Sequence, residues 1–134
     1  MTQWLAGMRI TAARLNDFTP IALTSTATAR TGFTVASFSA WKAGGTTNFA
    51  VILTYSGDIV TSSSSGNIGD LDCLTLPPDC RPRATNYGAY DKSGTASGAV
   101  RYLASGLCTL TTLDPTATIQ SGNTINFSGA FATG

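Results

Sequence analysis

Between Asn48 and Tyr55 the side chains alternate with a period of two. Phe49, Val51, Leu53 and Tyr55 fall on one side, and Ala50, Ile52 and Thr54 on the other. That period fits an extended strand, because a helix would wind the same residues around its axis. Both sides are fairly apolar, so the strand belongs in the middle of a sheet with partners on either side. The rest of the chain can supply them. Every acid is Asp, Glu is absent, and Thr plus Ser exceed a quarter of the 134 residues. Such a composition disfavours helices and favours many short strands.

Further strands follow from pattern and punctuation. Phe33 and Val35 alternate with Thr34 and Ala36, and then the phase slips to Phe38 and Ala40. A bulge or bend near Ser37 is expected there. Trp41 and Lys42 run into a turn at Gly44-Gly45, and Ser56-Gly57-Asp58 turns the chain into Ile59–Thr61. Ile68–Leu76 reads as a weaker strand, Asn86–Lys92 and Ser97–Leu103 as clearer ones, and Ser105-Gly106 as a tight turn into Leu107–Leu110. Ile119, Ile125 and Phe127 supply late core positions, followed by a short apolar tail containing Phe131. About eight short strands separated by turns predict an all-β fold, an antiparallel β-sandwich or jelly-roll-like knob whose two sheets bury their apolar faces together.

The first 18 residues differ in character. Thr11 can cap a short helix beginning at Ala12, and Pro20 ends any continuation. At about two turns the helix is too short to stand alone. Trp4, Leu5, Met8, Ile10, Leu15 and Phe18, interspersed with Arg9 and Arg14, therefore need a surface to pack on, either their own sandwich or a neighbouring subunit or docking protein. Residues 19–32 read as an extended connector, or as a strand in a neighbour's sheet. The expected organisation is an N-terminal segment over residues 1–30, with the short helix, and a β knob over 31–134.

Composition also excludes chemistry. A net charge of +1 leaves no electrostatic footprint for nucleic acid or an anionic membrane. No run approaches the roughly 20 apolar residues that span a bilayer. No secretory signal is expected at the start of the chain, so synthesis and folding in a cytoplasm are expected. The lack of His removes the usual triads, dyads and imidazole metal ligands. Asp70 and Asp72 could share a strand face, but they lack the further oxygen ligands of a calcium loop. No enzyme activity, metal or cofactor is expected. Cys73, Cys80 and Cys108 are odd in number; Cys73 and Cys80 are close enough in sequence to pair, though reduced thiols suit a cytoplasm. With only 11 % charged residues the chain makes a poor isolated monomer and is expected to bury surface in an assembly.

The stiff turn Thr75-Leu76-Pro77-Pro78-Asp79-Cys80-Arg81-Pro82 lies between Trp41–Gly45 with the Phe49–Tyr55 strand upstream, and Leu103-Ala104-Ser105-Gly106, Leu107–Leu110 and Ile119–Phe127 downstream. That order, over residues 30 to 132, resembles the small β-sandwich domain of fibre and spike proteins of tailed bacteriophages, especially those of actinobacterial hosts. Ala6-Gly7-Met8-Arg9-Ile10-Thr11-Ala12-Ala13-Arg14-Leu15-Asn16 is similar to the opening of many small actinophage virion proteins. The resemblance implies a non-enzymatic virion protein that is homotrimeric, docks on a capsid or tail protein and contacts a host cell-surface glycan. By the same analogy Trp4, Leu5, Met8, Arg9, Ile10, Arg14 and Leu15 would form the attachment segment. A short chain without a shaft or repeat leans toward a capsid decoration or head fibre over a tail-fibre tip. Arg81, Arg83, Tyr87 and Tyr90 are candidate surface contacts for a glycan, with Tyr102 a further ring for a stacking platform. For each there is a structural alternative: arginines bonded to carbonyls, tyrosines half buried in strands. The Ser62–Ser65 run reads as a solvated loop or a contact tip.

Overall fold

The computed structural model describes residues 19–132. These form strands β1 (Ile21–Leu23), β2 (Thr28–Ala29), β3 (Phe33–Ala43), β4 (Thr46–Tyr55), β5 (Val60–Thr61), β6 (Asn67–Thr75), β7 (Asn86–Lys92), β8 (Ala96–Tyr102), β9 (Leu107–Thr112), β10 (Thr118–Ile119) and β11 (Thr124–Ala132), with one 3-10 turn at Pro78–Cys80. The expected short N-terminal helix and all of its candidate attachment residues lie outside the described residues.

Nine strands make one antiparallel sheet in the order β1-β3-β4-β11-β7-β8-β9-β6-β2, and β5 and β10 pair as a separate ribbon. The all-β, sandwich-like fold is therefore as expected, but its halves are one curled sheet and not two separate ones. The reason is β11, which pairs with β4 on one side and β7 on the other. The expected apolar tail is in fact the end of this strand, and Phe131 is a core residue.

The residues expected to be a connector close the curl. β1 pairs with β3 at one end of the sheet, and β2 pairs with β6 at the other. Only residues 24–27 separate them, so the two edges lie within ~17 Å of each other. Nine strands laid flat would span ~38 Å. Arg30 N–H donates to the Cys73 carbonyl and Phe33 N–H to the Arg30 carbonyl, which fastens the seam. The paired body therefore begins at Ile21, ahead of the boundary expected at residue 31.

The curl is filled by aromatic side chains. Phe49 on β4 meets Phe38, Tyr102, Phe127 and Phe131 with ring centroids 6.1, 5.9, 6.1 and 5.8 Å away. β4 and β8 are three strand spacings apart in the sheet, ~14 Å if flat. Only curvature brings Phe49 and Tyr102 together. Room for the Phe49 ring comes from Gly129 on β11, where a Cβ would lie 2.6 Å from it. The phase slip foreseen near Ser37 is a register shift between Val35 and Ser37, which returns Phe38 and Ala40 to the inner face.

β7, β8 and β9 form a meander, and β6 lies beside β9 as in a Greek key. The Pro-rich segment is the crossover from β6 to β7. Leu76, Pro77, Cys80 and Pro82 are buried. Leu76 N–H donates to the Gly106 carbonyl, and Arg81 Nε donates 2.9 Å to the Leu76 carbonyl. Gly106 permits this close approach: its φ is +94°, and a Cβ would lie 2.7 Å from the Leu76 oxygen.

Phe49→Ala should cost about 3–5 kcal/mol, read as a lowered urea midpoint. A loss below about 1 kcal/mol would mean that the curl does not depend on this ring.

Candidate functional site

The predicted glycan residues separate in the structure. Tyr90 and Tyr102 point inward and are buried; their hydroxyls donate to the Thr112 carbonyl (2.6 Å) and the Ser128 carbonyl (2.8 Å). Burial, the largest cause in each case, raises both phenol pKa values. Neither ring can stack on a ligand at the surface, because the inward parity of β7 and β8 places them in the core. Arg81 braces the crossover through its bond to Leu76. Arg83 is exposed beyond the crossover, and Tyr87, 63 % exposed, stands on the outer face of β7.

Tyr87 has company that the sequence did not reveal. It lies opposite Arg101 on β8, and Arg101 lies opposite Thr109 on β9. The Arg101 guanidinium reaches Asp70 of β6 at 3.5 Å, and Thr109 Oγ1 donates 2.9 Å to Asp72. The two aspartates thus serve different partners in a polar row across the outer face. Among the described residues, no group of three or more His, Cys, Asp or Glu could hold a metal ion.

Next to this row is an open groove of about 460 Å³. Its lining includes Ala89, Gly98, Ala99 and Thr112 from the meander, with Ser97, Asp114, Pro115 and Ser65 around them. Ala89 and Ala99 are a directly opposed pair, two residues along their strands from Tyr87 and Arg101 on the same face. Small residues make the depression, and the 113–117 turn and the serine loop wall it. Asp114 N–H donates to the Ser97 carbonyl, and Asp114 Oδ2 accepts from Ser97 N–H at 3.1 Å. Leu113 N–H donates to the Gly66 carbonyl and Thr116 N–H to the Ser63 carbonyl, while Ser62 is buried and its hydroxyl donates to the Asp114 carbonyl. The serine run is therefore not simply a solvated loop; its backbone is tied to the neighbouring turn. Thr116 holds φ +61°, a rare conformation for a β-branched residue.

The outer face of the other half differs. The outward positions of β3 from Ser37 to Trp41, of β4 from Asn48 to Thr54 and of β11 from Thr124 to Ala130 contain no Asp, Lys or Arg. Ile52 lies near its middle. Trp41, 37 % exposed, stands near one end beside Ala22 of β1, and Ile21 is 61 % exposed on that same strand.

Cys73, Cys80 and Cys108 are all free and buried, so the Cys73–Cys80 pairing considered from sequence is not formed. Burial, the largest cause for each, pushes Cys80 up to about 11 and Cys108 up to about 12, and raises Cys73 well above its ordinary value.

No protein-family model matches the chain, and no curated protein is similar to it in sequence.

Two solution results are expected from the thiols. In the native protein they should resist an aromatic disulfide reagent, and all three should react once urea unfolds the chain. Rapid native labelling of Cys73 or Cys108 would contradict their burial. The folded state also holds these protons more tightly than the unfolded chain, whose thiols titrate near 9.0. The thiols' contribution to stability should therefore be constant below about pH 9 and be lost as pH rises toward 11–12. Urea midpoints across that range would show it; a midpoint that rises with pH would contradict it.

Proposed function

We propose that this chain is a non-enzymatic structural protein of a tailed-bacteriophage virion, a homotrimeric fibre or decoration protein displayed on the particle surface. The observation that carries the reading is the charge-free outer face of β3, β4 and β11, with Trp41 near its border. A sheet face of hydroxyl, amide and small side chains around Ile52 and Trp41 has no charge to desolvate or to repel its like, so packing against another copy meets no charge penalty. Strand β1, at the edge of the sheet, continues that face through Ala22, which lies opposite Trp41. That segment, with Trp4, Leu5, Met8, Ile10 and Leu15, is the proposed attachment element to a capsid or tail protein. Its resemblance to the opening of actinophage virion proteins supports the same role. Within residues 19–132 the Phe49 ring already forms a contiguous aromatic cluster with Tyr102, Phe127 and Phe131.

Deleting residues 1–18 should leave the circular-dichroism spectrum of a folded β protein and abolish incorporation into particles. Incorporation at the wild-type level would rule out the attachment role. Sedimentation of the intact chain should give a trimer, and Trp41→Asp should shift it toward monomer without unfolding it. A wild-type monomer would contradict the proposed self-association.

A further inference from the structure

We infer that the peptide bond between Asp114 and Pro115 is a self-cleavage site, at which the Asp114 side chain cuts its own backbone. The inference goes beyond the structural role proposed above and does not depend on it.

The Asp-Pro dipeptide brings two of the necessary groups by sequence alone. The aspartyl carboxylate can reach its own backbone carbonyl carbon by closing a five-membered ring, an attack within one residue. The proline nitrogen, which carries no N–H, leaves as a secondary amine once it takes up a proton. What the dipeptide lacks is a set of donors at the carbonyl oxygen, where negative charge develops as the ring closes. Here the fold supplies two. Buried Ser62 donates its hydroxyl to the Asp114 carbonyl oxygen at 2.5 Å, and the Ala117 N–H donates to the same oxygen at 3.0 Å.

The surroundings hold that arrangement. Gly66 lets the serine loop come close to the turn: a Cβ there would lie 2.9 Å from the Leu113 carbonyl oxygen. Asp114 N–H donates to the Ser97 carbonyl, and Asp114 Oδ2 accepts from Ser97 N–H at 3.1 Å, which leaves Oδ1 for the attack. Pro115 followed by Thr116 at φ +61° has the pattern of a type II turn, whose third residue is ordinarily Gly. A β-branched residue there stores strain that opening the turn releases. Asp114, Pro115 and Thr116 are exposed, so water and protons reach the bond. Asp114 is the titratable residue of the groove lining. Tyr90, which senses its charge, is a buried phenol bonded to the Thr112 carbonyl, and Arg101 farther along β8 is faced by Asp70.

In the reaction Oδ1 bonds to the Asp114 carbonyl carbon and the C–N bond to Pro115 breaks. The nitrogen keeps the electron pair and takes a proton from solvent. Water then opens the cyclic anhydride, restoring the side-chain carboxyl and leaving a new C-terminal carboxyl on Asp114. The net change is hydrolysis of one peptide bond. The two pieces would stay together, because β10 pairs with β5 and β11 lies between β4 and β7.

The test is incubation of the full chain in mildly acidic buffer, followed by mass spectrometry under denaturing conditions. Two fragments, residues 1–114 and 115–134, should accumulate, with masses that sum to the chain plus one water. The same chain unfolded in urea should cleave at least about tenfold more slowly, because both donors are lost from the carbonyl. Ser62→Ala should slow cleavage by about a hundredfold, and Tyr87→Ala, outside the groove lining, should leave it unchanged. Hydroxylamine added to the wild-type protein should be captured as a hydroxamate on Asp114. That product marks the anhydride, which direct attack by water does not form, and it is readable even if Ser62→Ala fails to fold. A chain that stays intact, cleavage as fast in urea as in the folded state, or fragments without hydroxamate would overturn the proposal.

Discussion

Closure of the sheet is the constraint on which the rest of this structure depends. A nine-stranded sheet buries little if it stays flat, and the described residues include no layer of helices to cover it. Here the sheet covers itself. β1 and β2 occupy opposite ends of the strand order yet sit a few residues apart in the chain, and the Phe49 cluster fills the space inside. Each feature needs the other. Without the aromatic contacts the curl has nothing to enclose, and without the curl Phe49 and Tyr102 cannot meet. The Pro-rich crossover adds buried Leu76 and Cys80 to the same core, with Arg81 bonding the carbonyl of Leu76.

Because the inner face meets the needs of stability, the outer face is free to differ between its halves. Over β3, β4 and β11 it has shed charge and keeps mostly small or hydroxyl side chains around Trp41 and Ile52. Over the meander it carries Tyr87, the Arg101–Asp70 pair and a groove floored by alanines. One body thus presents two outer faces of different chemistry, the first of them the one proposed above to meet its own copies.

Much of this was legible in the sequence because strands announce themselves by parity. The inner set of β4 was readable from Phe49 to Tyr55, and the slip at Ser37 was readable because Phe38 and Ala40 changed phase. Positions set by long-range pairing were not. Thr28-Ala29 and Ile21–Leu23 are too short to signal strands, and they pair only because the curl brings β6 and β3 to them. Phe131 looked like a tail residue because Ser128, Gly129 and Ala130 interrupt the apolar pattern; the glycine is there to make room for Phe49. Among the tyrosines, parity could have set Tyr87 apart from Tyr90, since three positions on one strand place them on opposite faces. The groove had no signal at all, because it is made by residues that are small and by a turn from elsewhere in the chain.

The measurement that bears most directly on the account is immunogold electron microscopy of intact phage particles, using an antibody raised against the β body. The account predicts label on the outside of the particle, on the capsid or at the tail. Particles that carry no label while the free protein is recognised would contradict a virion role and leave a stand-alone saccharide-binding module as the better description.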